Sequence, residues 1–257
     1  MIEFKVLTTK NDWLNELRNF KSDWYHSWSY HEMAFRRNQG KPIFFVMNNN
    51  INERIAIPFL LRDIQGDSKY KDMTSVYGYP GFLFSNFNSK KLYDTFIERL
   101  KIWSIENNVV SIFSRLNSLL IDAKDLKNCS SCGETVVVNL KLDEDKQKAF
   151  YRSVHRNLLR RLEKNGFKSD WSNSQKSIDD FKSIYKKNMI NLNANSYYFF
   201  DNSYYSELLN SDEFEARIYN VWYDKLKVCS GLFIYKDDIV QYHLSGTLKN
   251  FKKSSPT

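Results

Sequence analysis

The pattern of apolar and polar residues in the first half of the chain alternates between strand and helix. EFKVLTT predicts a strand, and KNDWLNELRNF predicts an amphipathic helix with Trp13, Leu14, Leu17 and Phe20 on one face. A second helix is expected over SYHEMAFRRNQG, with Gly40 as its C-cap. PIFFVM and RIAIPFLLR flank the turn-forming NNNINE and therefore predict a hairpin.

Charged residues interrupt this pattern between Gln65 and Asp72, which we interpret as a strand-breaking stretch. SKKLYDTFIERLKIWSIENN then has apolar residues at helical spacing and predicts a long helix. VVSIFSRL predicts the strand that follows it.

The second half repeats the theme of helices and strands. ETVVVNLKL predicts a strand, and DEDKQKAFYRSVHRNLLRRLEKNG predicts one long helix that ends at Asn165 and Gly166. SIDDFKSIYKKNMINL predicts another helix, opened by a capping box between Ser177 and Asp180. EARIYNVWYD, KVCSGLFIYK and DIVQYHLSG predict a meander of three strands.

Helices followed by antiparallel strands, twice over, are typical of two α+β units. The periodicity is weakest between residues 120 and 135, so we predict domains 1–130 and 131–257. A hydrophobic content of 42% and an aromatic content of 16% support a packed core in this chain of 257 residues.

Cysteine usage and the absence of targeting patterns indicate the compartment. No stretch reaches the roughly 18 apolar residues that a membrane-spanning helix needs, and the N-terminus lacks a signal-peptide pattern. We therefore expect a cytoplasmic protein with at most peripheral membrane contact. Cys129 and Cys132 form a CxxC pair, which stays open between free thiols, a redox pair and part of a metal site. The four histidines lack metal-ligand spacing, so we expect no metal.

The segment SVYGYPGF combines a turn with aromatic side chains. Gly78 and Gly81 allow backbone angles that other residues avoid, and Pro80 fixes the turn between them. Tyr77 and Tyr79 offer flat apolar faces with a hydroxyl at the tip. The residues alone allow either a structural turn or a wall of a binding site.

Charge points to an anionic partner. The net charge is +8, which suits a phosphorylated substrate or RNA but is also common in lysine-rich proteins without such a partner. Arg152, Arg156 and Arg160 follow each other at intervals of four and share one face of the predicted helix. A row of guanidinium groups suits phosphates, although a solvated helix face has the same spacing.

Two segments near the end of the chain supply further candidates. Tyr197 and Tyr198 lie in the aromatic NANSYYFFDNSYYSELL, which fills a core or lines a site. In YHLSGT, we expect a strand to end at a polar loop, Ser245–Thr247, whose main-chain N–H groups hold an anion. His243 is either a general base or hydrogen-bond donor, or a satisfied histidine within the strand.

Six segments together resemble the FemAB/FemX-like family of tandem GNAT-fold transferases, over nearly the whole chain. They occur in the family's order: DWYHSWSYHEMA, IAIPFLLR, TSVYGYPGF, FYRSVHRNLLRRLEKNGF, NANSYYFFDNSYYSELL and IVQYHLSGT. The best-known members move an amino acid from aminoacyl-tRNA onto a peptidoglycan precursor. Relatives in surface-polysaccharide clusters are regarded as acyl or aminoacyl transferases.

The resemblance implies an α+β fold with two GNAT-like domains in tandem, facing each other across a cleft. The acceptor would be bound by Tyr77, Gly78, Tyr79, Gly81, Arg152, Arg156, Arg160, Tyr197 and Tyr198. Ser245, Gly246 and Thr247 would bind the donor, and His243 would be the catalytic candidate.

Two departures change this picture, one from ordinary GNAT enzymes, whose motif the FemX-like group also lacks, and one from the family itself. The R/Q-x-x-G-x-G/A motif, with which ordinary GNAT enzymes bind acetyl-CoA, is absent, and this weakens acetyl-CoA as the donor. The family continues through a helix and two further strands beyond the position of Thr257, so we expect an incomplete second domain. IVQYHLSG would then be an exposed edge strand without a covering helix, which favours a homo-oligomer.

The sequence therefore predicts an acyl or aminoacyl transferase that modifies an amine or hydroxyl of a cell-envelope precursor. The partners would be a phosphorylated peptidoglycan or surface-polysaccharide intermediate and, for one donor, tRNA. We expect no tightly bound cofactor, and the donor is either aminoacyl-tRNA or acyl-CoA. The alternative is a catalytically inactive binding module for a nucleotide-sugar or RNA.

Overall fold

The computed structural model describes residues 2–86, 90–121, 126 and 129–254. The chain divides into two compact units, Met1–Cys132 and Gly133–Thr257. Each unit combines a sheet with helices, so the predicted α+β class is confirmed.

The first unit is built on one mixed sheet. Its strands are β1 (Glu3–Leu7), β2 (Lys41–Asn48), β3 (Arg54–Ile64), β4 (Asp67–Thr74), β5 (Leu83–Ser85) and β6 (Val109–Phe113). Its helices are α1 (Lys10–Leu17), α2 (Trp28–Arg36) and α3 (Lys90–Glu106). The strand order is β1-β2-β3-β4-β6, with β5 paired to β3, and only β4 and β6 run parallel among these described pairs.

Both faces of this first sheet are covered, which explains the nearly continuous apolar runs of β2 and β3. On one face, Phe45 and Ile57 belong to a core with Phe96 of α3. On the other face, Phe44 and Val46 pack in a second core that includes Trp13 of α1.

The second unit carries an antiparallel sheet in the order β10-β9-β8-β7. Its strands are β7 (Phe167–Trp171), β8 (Glu215–Tyr223), β9 (Leu226–Lys236) and β10 (Ile239–Thr247). Its helices are α4 (Glu144–Phe150), α5 (Ser153–Lys164), α6 (Gln175–Asn191) and α7 (Asn202–Leu209). Helix α6 packs across β8, β9 and β10, and α7 packs against β8.

Two expectations in the first unit were wrong. Helix α2 ends at Arg36 with Arg37 as its C-cap, so Gly40 lies in the connection to β2. The charged stretch after Gln65 does not break the sheet: β3 turns at Gly66 into β4, and Arg62 pairs with Asp72 across the two strands at 2.6 Å. A charged hairpin end of this kind is stable because its backbone is paired and its side chains lie in solvent.

Other expectations failed at the start of the second unit. ETVVVNLKL has no regular structure, and the Val136 side chain is 93% exposed. The predicted long helix breaks at Tyr151 and Arg152, whose backbones are extended, and becomes α4 and α5. Helix α6 begins earlier than predicted, because Ser174 is its N-cap and accepts the Ser177 N–H at 3.3 Å.

The end of the second unit also differs from the prediction. Residues 245–247 belong to β10 and do not form a loop. Strand β10 lies at the edge of its sheet, but it is covered: Ile239 and Leu244 are buried, and α6 packs against the strand. A 3₁₀-helix, Lys249–Ser254, follows it.

Candidate functional site

The Tyr77–Gly81 segment is held from behind by an aromatic cluster in the first unit. The Tyr30 hydroxyl donates to the Tyr77 carbonyl at 3.0 Å. A Cβ on Gly78 would lie only 2.1 Å from Cε1 of Tyr25, and φ at Gly78 is +116°. The glycine is therefore required by the close approach of the Tyr25 ring as well as by its backbone angle.

Gly81 has a similar packing role. Its φ is +55°, and a Cβ there would meet the backbone of Leu116 and Asn117 at 2.9 Å. Both glycines thus bring protein groups close to the main chain, rather than leaving room there for a ligand. The Tyr79 side chain is different, since it is 50% exposed and its ring lies edge-on to Tyr25 at 6.3 Å.

The cluster behind this segment is closely packed and almost entirely buried. The Trp24 ring lies 4.5 Å from Tyr25 and 4.2 Å from Tyr30. Burial raises the pKa of the Tyr25 hydroxyl far above its ordinary value, so this group stays protonated. Tyr79 therefore presents an exposed ring on a fixed, apolar backing, which suits stacking on a sugar or peptide group.

A buried carboxylate anchors the same region, and sequence reasoning missed it. Asp23 is fully buried, accepts the Trp24 N–H at 2.6 Å and accepts Nδ2 of Asn117 at 2.9 Å. It caps the 3₁₀-helix Trp24–His26, and His26 Nδ1 lies 3.1 Å from the Asp23 nitrogen. An aspartate directly before such a turn is a capping signal, but its link to Asn117 has no signature in the sequence.

The arginine row of the basic helix is not continuous. Arg152 has an extended backbone and stands at the N-cap of α5. Arg156 donates from Nη1 to the Tyr151 carbonyl and to the Ala149 carbonyl at 3.3 Å, so it caps the end of α4. Arg160 is exposed. The Arg156 side chain is thus engaged by main-chain carbonyls, whereas Arg152 and Arg160 are exposed.

Tyr197 and Tyr198 form a 3₁₀-turn ahead of α7. The Tyr197 ring is 40% exposed and meets Tyr198 edge-on at 5.5 Å. The Tyr198 carbonyl accepts the Tyr185 hydroxyl at 3.0 Å, which ties this turn to α6. The aromatic segment thus has two parts: Tyr197 is exposed, whereas Tyr204 and Tyr205 are buried in the core.

His243 points into the second unit. A β-bulge between Tyr242 and Leu244 turns its side chain toward α7, where Nε2 lies 2.7 Å from the Tyr204 hydroxyl oxygen. The residue is 8% exposed, and burial lowers the pKa of the imidazole to about 3. The ring is neutral at pH 7 and lies within the core, which favours a packing role in the strand over a general base.

The predicted donor residues lie where β10 meets α6. A Cβ on Gly246 would lie 2.9 Å from the Ile184 carbonyl oxygen and from Cα of Tyr185. The Thr247 hydroxyl donates to Sγ of Cys229 at 3.5 Å, and Ser245 pairs with Gly231 in the sheet. The glycine thus allows close packing of strand and helix.

The outer face of the second sheet is a partly exposed aromatic surface that the sequence reasoning did not identify. The Arg217 guanidinium lies between the Trp171 ring at 4.9 Å and the Tyr235 ring at 4.6 Å. It also makes a two-pronged contact with Glu215 at 2.6 and 2.9 Å, and that hydrogen bond raises the pKa of Arg217. The sequence signal is the period of two in EARIYNV, where Ala216, Ile218 and Asn220 are buried and the residues between them face away from the core.

The aromatic surface continues across the sheet through hydrogen-bonded and packed rings. The hydroxyl oxygens of Tyr219 and Tyr235 lie 2.7 Å apart, and Phe233 contacts Tyr219 and Tyr242 at ring distances of 5.1 and 5.0 Å. Burial raises the pKa of Tyr235 and of Tyr242, so both hydroxyls remain protonated. The surface offers stacking faces and neutral hydroxyls, not a nucleophile or base at pH 7.

The second unit therefore brings Arg217, Tyr219 and Tyr242 onto one sheet face, while His243 and Gly246 face the core. The first unit gathers Tyr77, Gly78, Tyr79 and Gly81 on the aromatic cluster. The prediction that residues of both units share one acceptor cleft stays a prediction.

The cysteines are free thiols, with Cys129 and Cys132 exposed and Cys229 buried. Within the described part of the chain, no group of three or more histidine, cysteine, aspartate or glutamate side chains could hold a metal ion. No helix among the described residues is long and apolar enough to cross a membrane.

Comparisons with known proteins give the fold. No protein-family model and no curated protein matches the chain. A crystal structure of FemX superimposes on 99% of this chain and 82% of its own, with a TM-score of 0.69 and 10% sequence identity. The C-terminal domain (DUF2156) of a proposed lysylphosphatidylglycerol synthetase from Agrobacterium fabrum covers 96% of this chain and 69% of its own, with a TM-score of 0.54 and 11% identity. The chain has a FemX-like fold.

Proposed function

We propose that this protein transfers an aminoacyl or acyl group to an amine or hydroxyl of a cell-envelope component. The FemX-like fold over 99% of the chain carries the proposal. The second structural neighbour belongs to a protein whose name joins lysine to phosphatidylglycerol, a membrane lipid. The six ordered segments that resemble the FemAB/FemX-like family support the same chemistry.

Within this proposal, each unit is one GNAT-like domain, and aminoacyl-tRNA is the preferred donor over acyl-CoA. The missing R/Q-x-x-G-x-G/A motif supports that preference. The acceptor is a phosphorylated peptidoglycan or surface-polysaccharide intermediate. Tyr79 stacks on it, because its exposed ring is backed by the buried Tyr25 ring.

Catalysis in this proposal rests on positioning rather than on a dedicated base. Acyl transfer needs a polarised carbonyl and an aligned nucleophile, and alignment alone supplies a large part of the rate. His243 is buried against Tyr204, so we assign it no proton transfer.

The test is a transfer assay with the full chain. Donors are tRNA charged with labelled amino acids and, in a separate arm, labelled acyl-CoA; acceptors are nucleotide-linked muropeptides and phosphatidylglycerol vesicles. We expect label in one acceptor class from charged tRNA, abolished by ribonuclease. Tyr79→Ala should raise KM for the acceptor with little change in kcat, whereas Tyr70→Ala, an exposed tyrosine on β4, should change neither.

The inactive binding module makes a different prediction in the same assay. It would retain a nucleotide-sugar or tRNA without turnover from either donor, and RNA binding would weaken with salt in proportion to the phosphates contacted. Binding without transfer to any acceptor would overturn the transferase proposal.

A further inference from the structure

Helix α5 is amphipathic, yet it buries none of its residues. Its apolar side chains, Val154, Leu158, Leu159 and Leu162, fall within about 140° of the helix circumference. The two central ones, Leu158 and Leu162, are half-buried where α5 contacts β7, whereas Val154 and Leu159 at the two edges of the stripe are exposed. A stripe of this width normally faces a core. Helix α6 of the same unit does so, burying Phe181, Ile184 and Tyr185.

The most exposed apolar groups lie at the junction of α4 and α5. Phe150 is the last residue of α4 and is 81% exposed, and Val154 in the first turn of α5 is 72% exposed. Arg156 holds this junction in place by donating to the main-chain carbonyls of Ala149 and Tyr151. Phe150 and Val154 are therefore exposed at a junction whose backbone is held by the Arg156 side chain.

The rest of α5 is cationic. Arg156, Arg160 and Lys164 lie within about 80° on the side away from the apolar stripe, and Arg161 lies about 20° from Val154. Glu163 is the one carboxylate in α5. Among the described residues, Arg160, Arg161 and Lys164 have no ion-pair partner.

We propose that the α4–α5 junction together with α5 docks on an anionic lipid surface. Phe150 and Val154 enter the headgroup region, and Arg160, Arg161 and Lys164 contact lipid phosphates. A strongly basic helix face next to exposed apolar side chains, here Val154 and, at the junction, Phe150, suits binding at a membrane interface. The net charge of +8 adds attraction to such a surface.

Lipid fits this surface better than RNA or a second copy of the chain. RNA needs cations and stacking aromatics, and it leaves the exposed Val154 beside these cations without a role. A second copy would bring Arg160 and Arg161 close to identical cations unless carboxylates faced them, and α5 offers only Glu163.

The test is co-sedimentation of the full chain with vesicles, which needs neither donor nor acceptor and so is independent of the transferase proposal. Binding should be strong on vesicles that contain phosphatidic acid, an anionic lipid without the amine or alcohol group of an acceptor, and weak on phosphatidylcholine alone. It should fall with salt, because the screening length shortens from about 10 Å at 0.1 M to about 3 Å at 1 M.

Charge variants locate the surface. Arg160→Ala with Arg161→Ala should weaken binding about fivefold for each cation and about twenty-five-fold together. Lys186→Ala with Lys187→Ala removes two adjacent exposed cations from α6 and is the matched control, expected to change binding much less. Equal losses in the two double variants would overturn the assignment to α5.

Variants of exposed apolar residues distinguish a lipid surface from a second copy of the chain and from RNA. Phe150→Ser should lower vesicle binding about tenfold, whereas Ile190→Ser, an exposed apolar residue on α6, should leave it unchanged. Light scattering and tRNA binding are measured on the same variants. Wild-type protein that ignores anionic vesicles would refute the proposal, as would Phe150→Ser acting only on self-association or the arginine variant acting only on tRNA.

Discussion

The hydroxyl oxygen of Tyr204 on α7 lies 2.7 Å from Nε2 of His243 on β10, and both side chains are buried. The contact joins a helix to the bulged edge strand of the second sheet. The Tyr204 ring is in turn stacked on Phe200 at 4.1 Å. The pair therefore helps to fix α7 against the sheet.

Tyr204→Phe keeps this packing and removes one hydrogen bond. We expect the free energy of unfolding to fall by about 1–3 kcal/mol, because a buried polar nitrogen loses a partner. Urea unfolding measures the change. Tyr223→Phe removes an exposed hydroxyl on β8 and should leave the midpoint in place; equal midpoints for both variants would contradict a stabilising role of the pair.

Stability should fall as the pH drops below about 6.5, because two buried histidines resist protonation. Burial lowers the pKa of His31 to about 4 and that of His243 to about 3, from an ordinary value of 6.5. Between pH 6.5 and about 4, these two imidazoles bind protons in the unfolded chain but not in the folded chain. Each histidine then contributes a loss of about 1.4 kcal/mol per pH unit.

The histidine contribution is isolated by variants. We expect His31→Gln and His243→Gln each to reduce proton uptake on unfolding near pH 5 by about one proton. The comparison with wild type cancels the carboxylates, which titrate in the same range. Uptake that is unchanged in both variants would show that these imidazoles already charge in the folded protein.

Gly78→Ala should destabilise the first unit more than its backbone angle alone explains. The new Cβ would lie 2.1 Å from the Tyr25 ring, which is itself buried. Gly66→Ala is the matched control, because φ there is +85° and no atom lies within 4 Å. Strain at positive φ costs about 1–2 kcal/mol in both variants, and the clash adds to it only at Gly78.

Urea unfolding of both glycine variants tests this packing. A similar loss at the two positions would mean that the Tyr25 ring moves aside freely. In that case the backing of Tyr79 would not be rigid, and the stacking role that we propose for Tyr79 would lose its support.

The long periodic elements were predictable because their burial repeats with the backbone. The hairpin of β2 and β3, helix α3 and the meander β8–β10 all appear where the apolar pattern places them. Their signal survives because each element buries at least one complete face, so the local pattern and the tertiary packing agree.

The missed features depend on contacts between distant residues. The sequence of β4 is too polar to be predicted as a strand, but β4 is paired on both sides, by β3 and by β6. The break between α4 and α5 arises where an arginine side chain binds the carbonyls that the next turn would have used. Asp23 and Asn117 meet across 94 positions, which no spacing rule in the sequence can reveal.

Substitution of Gly246 tests whether this glycine serves the packing of β10 on α6 or the binding of a donor. Its absent side chain lets β10 approach the α6 backbone, where a Cβ would lie 2.9 Å from the Ile184 carbonyl oxygen and from Cα of Tyr185. Because backbone cannot rotate aside, Gly246→Ala must push the strand and helix apart. We expect a loss of about 1–3 kcal/mol in the free energy of unfolding.

Gly231→Ala on the neighbouring strand is the control for Gly246→Ala. Its new Cβ would meet the Phe233 and Tyr242 rings at 3.1 and 3.2 Å, and these partly exposed side chains can shift. We therefore expect a smaller loss of stability in urea unfolding. Donor binding decides the role of Ser245–Thr247: if Gly246→Ala keeps wild-type stability but no longer binds charged tRNA or acyl-CoA, the glycine serves the donor and our packing account of it fails.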